Sequence, residues 1–303
     1  MDQTECVGCP HECHADRSGI KPGVCGCDNR LRVASVCRHL GEEPVISGET
    51  GICNIFFGHC NLQCRFCQNY QISDNHRPLN SFDDSLNRVV NRIEAVLNEG
   101  ARGVGFVSPS HCIPQMLDII IELQRRNIYE TCVFNSNGYD RPEVVALLEP
   151  IIPVWLPDFK YSDDHLSREY SNAPDYLRHA GAAIVQMYNQ VGADIELDDE
   201  GKITRGLVIR HLVLPGQVEN SLGVLRFIAE QLSPDVHISL MSQYHPTENV
   251  QCHPDLGRPL YEYEYEAVLD EFERLGFYRG WIQELSSSEN YRPDFDRKDP
   301  FNE

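Results

Sequence analysis

The chain has 303 residues, 41% of them hydrophobic and 24% charged, a globular composition with room for one large domain or two ordinary ones. Lys and Arg number 26 against 46 Asp and Glu, a formal charge of −20, which excludes the basic face that nucleic acid or an anionic membrane demands. No basic-apolar signal segment opens the chain and no membrane-length apolar run occurs. The expectation is a cytoplasmic protein without nucleic acid or membrane among its partners.

Residues 1–50 are rich in Cys, Gly, Pro and His with little periodicity, and are read as a loop-rich module held by metal. Cys6, Cys9 and Cys13 form C-x2-C-x3-C, with Cys25 further on; four thiolates in a reducing compartment could close a zinc site or hold an iron–sulfur cluster. Cys27, Cys37, His11, His14 and His39 are spare candidates, and the isolated Cys112, Cys132 and Cys252 read as small buried hydrophobes.

From Gly51 the pattern changes. "ICNIFF" (52–57) predicts a buried strand, and Ser81 with Asp84 predicts a capping box before an amphipathic helix that Gly100 stops. Strands are then expected at 103–108, 131–138, 154–160, 206–216 and 236–242. Helices are expected from Ile113, over 143–148, over 175–191 and over 222–232, with a last helix at 261–277 and a frayed tail after it. This alternation implies βαβ units and a parallel sheet. A partial (β/α)6 TIM-type barrel over 51–245 is expected, with a doubly wound sheet as the alternative and 246–303 as a C-terminal helix and tail. In either fold the site lies at the C-terminal ends of the strands.

The densest chemistry is "GHCNLQCRFCQNY" (58–70), where Cys60, Cys64 and Cys67 follow the first strand as C-x3-C-x2-C. Thiolates are soft ligands for zinc, copper(I) or iron–sulfur clusters. Three from one loop suggest a cluster with one iron open to a substrate or cofactor. A zinc knuckle completed by His59, His76 or a distant residue is the alternative.

"CNLQCRFCQN" resembles the cluster motif of radical S-adenosylmethionine (SAM) enzymes, in the version of the pyruvate formate-lyase activating enzyme group. The resemblance covers roughly residues 50–245. It implies a [4Fe–4S] cluster on Cys60, Cys64 and Cys67, with SAM at the open iron cleaved reductively to a 5′-deoxyadenosyl radical that abstracts hydrogen from a substrate. It further implies SAM contacts from Ser108 in "VSPSH", Asn135 and Asn137 in "NSNG", and Asp158 and Lys160 in "DFK". Arg210 and His211 in "IRHLVLPG" are implied on the substrate side. A flavodoxin- or ferredoxin-type electron donor is the implied partner, with a glycyl-radical enzyme as a candidate protein substrate. N-terminal cysteine modules occur in one branch of activase-like proteins, so a second iron–sulfur cluster or a zinc ion on Cys6, Cys9, Cys13 and Cys25 belongs to the expectation. The alternative functions are a non-catalytic iron–sulfur or zinc protein, serving as electron carrier or scaffold, and a thiol-based enzyme.

Overall fold

The computed structural model describes residues 4–18, 23–78, 84–289, 292–297 and 299–301. Nine strands form one sheet: β1 (Val33–His39), β2 (Ile52–Phe57), β3 (Val104–Val107), β4 (Cys132–Ser136), β5 (Val154–Pro157), β6 (Glu196–Leu197), β7 (Ile203–Leu212), β8 (His237–Met241) and β9 (Gly280–Ile282). Their order is β1-β2-β3-β4-β5-β7-β8-β9, with the short β6 antiparallel on β7. From β2 to β9 every neighbouring pair is parallel, whereas β1 runs antiparallel on β2.

Parallel neighbours need long crossovers, and helices supply them. They are α3 (Leu86–Asn98), α4 (Ile113–Arg125), α5 (Pro142–Leu148), the pair α6 (Asp164–Ser171) and α7 (Tyr176–Val191), α8 (Val218–Gln231) and α9 (Glu262–Arg274). Six strand–helix units starting at β2 therefore make the expected partial (β/α)6 barrel. Two short helices, α1 (Pro44–Ser47) and α2 (Tyr70–Ser73), lie in the loops flanking β2.

Strands β1, β6 and β9 and helix α6 were not expected from the sequence. β6 and β9 have two and three residues, too few for a period to register. β1 sits inside the cysteine-rich stretch, yet its alternating burial on β2 makes it part of the barrel sheet. Ser81 of the predicted capping box lies outside the described residues; Ser85 caps α3 by accepting from the Arg88 amide at 3.3 Å. The tail is not frayed over its described residues, because the Phe295 ring packs edge-on against Phe56 at 5.1 Å and Phe301 lies 4.2 Å from His39.

Strand side chains alternate between two faces. On the outer face Cys53, Ile55, Phe106, Phe134, Trp155, Leu207, Ile209 and Leu240 pack against the helices in one large core. On the inner face Ile52, Val133, Val154, Leu156, Ile203 and Val208 close the bottom of the barrel, plugged by Ile46 of α1. Two residues further along the same strands the inner face turns polar: Asn54, Asn135, Asp158 and Arg210. The apolar floor thus sets the depth at which polar groups begin.

Gly105 on β3 leaves the room that Asn54 needs: a Cβ there would stand 2.1 Å from Asn54 Oδ1 and 3.2 Å from Ile52 Cδ1. Gly105→Ala should push Asn54 from its 2.8 Å bond to Glu42 and destabilise the fold by about 1–3 kcal/mol in urea unfolding. In an Asn54→Ala background the same substitution should cost clearly less. An equal cost in both backgrounds would exonerate Asn54.

Candidate functional site

The loop leaving β2 turns sharply at His59, whose φ is 64°, and then carries the three cysteines. Side chains and neighbouring backbone hold it. Asn75 accepts from the Cys60 amide at 3.1 Å and donates to the Cys60 carbonyl at 3.0 Å. The Gln63 and Arg65 amides donate to the carbonyls of Ser171 and Tyr170.

Each sulfur faces a donor. Cys60 Sγ receives the Leu62 amide and Asn137 Nδ2, both at 3.4 Å. Cys64 Sγ receives Ser171 Oγ at 2.9 Å and Cys67 Sγ receives Ser73 Oγ at 3.3 Å. Burial pushes all three thiols above their ordinary pKa, Cys64 to about 11, and their mutual charge adds to it for Cys60 and Cys64. One buried and two half-buried sulfurs, each met by a donor, fit thiolates neutralised by a metal centre. The three Sγ atoms do not all lie within 4.8 Å of one another; among the described residues only Cys27, His111 and Cys112 form such a group. A single tetrahedral ion with bonds of about 2.3 Å separates its sulfurs by roughly 3.8 Å. The wider spacing and the soft donor set fit a cluster.

Above the apolar floor, a cavity of about 430 Å³ lies between these sulfurs and a network of charges. Such a volume suits a small-molecule cofactor or substrate. Arg210 Nε donates to Asp158 Oδ1 at 2.8 Å, and its two terminal nitrogens donate to Glu42 Oε2 at 3.0 Å and Asn135 Oδ1 at 2.6 Å. Lys160 Nζ donates to the other Asp158 oxygen at 2.5 Å. Burial opposes ionisation of Asp158, but Arg210 and Lys160 outweigh it and hold the carboxyl below its usual range. Burial likewise opposes the Lys160 charge, and Asp158 with the Cys64 sulfur raises its pKa regardless. Glu43 is the exception: burial raises its pKa, and its Oε2 has no hydrogen-bond partner.

Of the residues implied by the resemblance, Cys60, Cys64, Cys67, Ser108, Asn135, Asn137, Asp158, Lys160 and Arg210 all border this cavity. Ser108 does so in a left-handed conformation (φ 48°) that a non-glycine residue adopts only under surrounding constraint. Asn137 spends its amide on Cys60 and Asn61.

His211 is not brought to the cavity. As the neighbour of Arg210 on a strand it faces outward, where Nδ1 meets the Phe159 carbonyl at 2.7 Å and Nε2 the Ser221 hydroxyl at 2.8 Å. Burial drops its pKa to about 4, so it is a neutral structural residue at neutral pH. Glu42, Glu43, Ser73 and Ser171 were not legible as site residues, because none sits in a motif and each arrives from a loop or helix end.

The N-terminal cysteines also converge. Cys6, Cys9, Cys13 and Cys25 border one cavity of about 70 Å³, together with Arg17 and His111. The Cys27 sulfur also lies within 4.8 Å of the Cys112 sulfur and a ring nitrogen of His111, and the Cys25 and Cys27 thiols influence each other's charge. Cys112 is buried in the core as expected but also neighbours Cys27 and His111, Cys132 is half-buried against the core, and Cys252 is exposed, contrary to expectation. Among the spare candidates, His14 pairs with Glu5 on the surface and His11 contacts the Asn61 carbonyl. His59 meets the carbonyls of Cys25 and Arg77.

The site is thus a C-x3-C-x2-C loop at the first parallel strand end of a partial barrel, facing a charged cavity built from the next strand ends. The family model of the radical SAM superfamily matches residues 54–175, from within β2 to the residue before α7. The chain is 27% identical over 278 residues to an uncharacterized protein of Methanocaldococcus jannaschii, covering 89% of this chain and 74% of that protein. Among solved structures, a domain of pyruvate-formate lyase-activating enzyme from Bacteroides vulgatus aligns with 15% identity and a TM-score of 0.42, over 61% of this chain and 100% of that one. Streptococcus suis SuiB bound to S-adenosylmethionine aligns with 12% identity and a TM-score of 0.47, over 75% of this chain and 48% of that one. Among the described residues, no helix is long and apolar enough to cross a membrane.

Arg210→Ala leaves two buried carboxylates without their shared cation, and should cost about 3–5 kcal/mol in denaturant unfolding. Arg210→Lys keeps the charge but not the fork, and should fall between. A loss below about 1 kcal/mol for the alanine variant would contradict a structural role for this network.

Proposed function

We propose that this protein is an activase-like radical SAM enzyme, with the [4Fe–4S] cluster on Cys60, Cys64 and Cys67 and SAM in the cavity between that loop and the Asp158–Lys160–Arg210 network. The observation that carries the reading is the pairing of three donor-supported sulfurs with a preorganised set of opposite charges across one cavity. When bound and reduced, cluster and SAM supply a 5′-deoxyadenosyl radical that abstracts hydrogen from a substrate.

The chain's own residues bind, orient and exclude water. Lys160 suits the SAM carboxylate and Asp158 its ammonium, each already charged by its neighbours. Asn135, held by Arg210, and Ser108 offer polar groups at the adjacent strand ends. Phe56, Met241, Pro293 and Phe301 line the apolar side, a wall suited to shielding a radical from solvent. The substrate is proposed to be a glycyl-radical-type protein, with an electron donor of the flavodoxin or ferredoxin type.

Anaerobic reconstitution with iron and sulfide, followed by dithionite and SAM, should yield 5′-deoxyadenosine, and Cys60→Ala, Cys64→Ala or Cys67→Ala should abolish it. A fully loaded protein that gives no product overturns the proposal in favour of an electron carrier or scaffold. Lys160→Met should leave the iron content intact and raise the KM for SAM about tenfold or more, a loss of at least about 1.4 kcal/mol. An unchanged KM would remove Lys160 from the SAM site.

A further inference from the structure

Behind the cluster loop, on the outer side of the β3 end, lies a second group of soft ligands. We propose that Cys27, His111 and Cys112, with Cys25 as the fourth ligand, bind a single tetrahedral divalent ion of the zinc type, separate from the cluster of the SAM cavity.

Proximity is the first support. One ligand atom from each of Cys27, His111 and Cys112 lies within 4.8 Å of the other two, and all three residues are buried. Cys25 lies outside that spacing, and its thiol interacts with that of Cys27, which makes it the candidate for the fourth position. Bonds of about 2.3 Å to sulfur and 2.0–2.1 Å to nitrogen place ligands roughly 3.5–3.8 Å from one another, so Cys27, His111 and Cys112 would move together by at most about an ångström. Three cysteines and one histidine are a recurrent structural zinc set.

The histidine tautomer is the second. His111 is 4% exposed. Its Nε2 lies 3.1 Å from the Gly58 carbonyl oxygen, which can only accept, so Nε2 carries the proton. Nδ1 has no hydrogen-bond partner of ordinary geometry, and the ring's side-chain interaction is with Cys112, the contact that a shared metal ion would bridge. A ring fixed by a backbone carbonyl through one nitrogen, with the other left open, is how ligating histidines are held.

Charge is the third. Three thiolates and a dication sum to −1, and Arg17, 6% exposed, stands beside Cys25, Cys27 and Cys112. Its guanidinium donates to the main-chain carbonyls of His111 at 2.8 Å and Asp28 at 2.9 Å. A buried cation bonded to carbonyls alone finds its counter-charge in the metal–thiolate centre.

The ligands come from two parts of the chain, Cys25 and Cys27 from the N-terminal module and His111 and Cys112 from the turn after β3. The ion would therefore clamp the module to the barrel. It would also brace the cluster loop from behind: the Gly58 carbonyl that orients His111 precedes Cys60 by two residues and also meets Cys27 Sγ at 3.7 Å.

Zinc K-edge absorption on the purified wild-type protein reads the site without interference from iron. One zinc per chain is expected, with three sulfurs at about 2.3 Å and one nitrogen at about 2.0 Å. The double variant Cys27→Ser/Cys112→Ser should lose the zinc, and the triple variant Cys6→Ser/Cys9→Ser/Cys13→Ser should keep it. A four-sulfur shell, zinc lost from the triple variant, or a protein with iron alone overturns the assignment. So does a zinc-free protein whose Cys112 is alkylated by iodoacetamide in the folded state. The wild-type spectrum decides the case even if a variant fails to fold.

Discussion

Arg210 donates to three acceptors from three separate stretches of chain: Asp158 just beyond β5, Asn135 on β4 and Glu42 in the loop after β1. The sheet needs this contact where it is least continuous. β5 and β7 share only two residue pairs before the pairing lapses, and resume as an isolated bridge between Asp158 and Arg210. The side-chain contact and the Phe159 amide bonded to the Arg210 carbonyl at 2.8 Å carry the barrel wall across that gap. Burying these charges is expensive, and replacing such a network by apolar residues often leaves a protein as stable or more so. What the network provides is placement: two cations and two anions fixed on the wall opposite the cysteines.

The remainder of the site follows from alternation. Val133, Leu156 and Val208 belong to the apolar floor, and Asn135, Asp158 and Arg210 stand two residues beyond each of them, on the same inner face. Lys160 repeats the step and reaches the cavity, where its charge influences the Cys64 sulfur. The cysteine loop is held from outside this pattern, by Ser171 at the end of α6 and Ser73 at the end of α2. Strand periodicity thus builds one wall of the cavity, and loops and helix ends adjust the other.

Most of the barrel was legible because its strands are buried runs of four to ten residues between amphipathic helices. The three-cysteine loop and the polar strand ends were legible from spacing and from the family they resemble. His211 was implied in the site together with Arg210 by the resemblance of "IRHLVLPG", although the period of two assigns neighbouring strand residues to opposite faces. Glu42 escaped because a short antiparallel strand and a four-residue helix deliver it to the barrel interior, and neither carries a sequence signal. Cys112 escaped because its thiol partners lie some eighty residues earlier in the chain, a proximity that only the packing of the module on β3 creates.

We propose that SAM reaches an open iron of the cluster on Cys60, Cys64 and Cys67 from the charged cavity. The most direct test is the EPR spectrum of the anaerobically reconstituted, dithionite-reduced protein, recorded with and without SAM. The account predicts a reduced-cluster signal whose g-values and line shape change when SAM is added. A reduced cluster whose spectrum is identical in the presence of saturating SAM would contradict it.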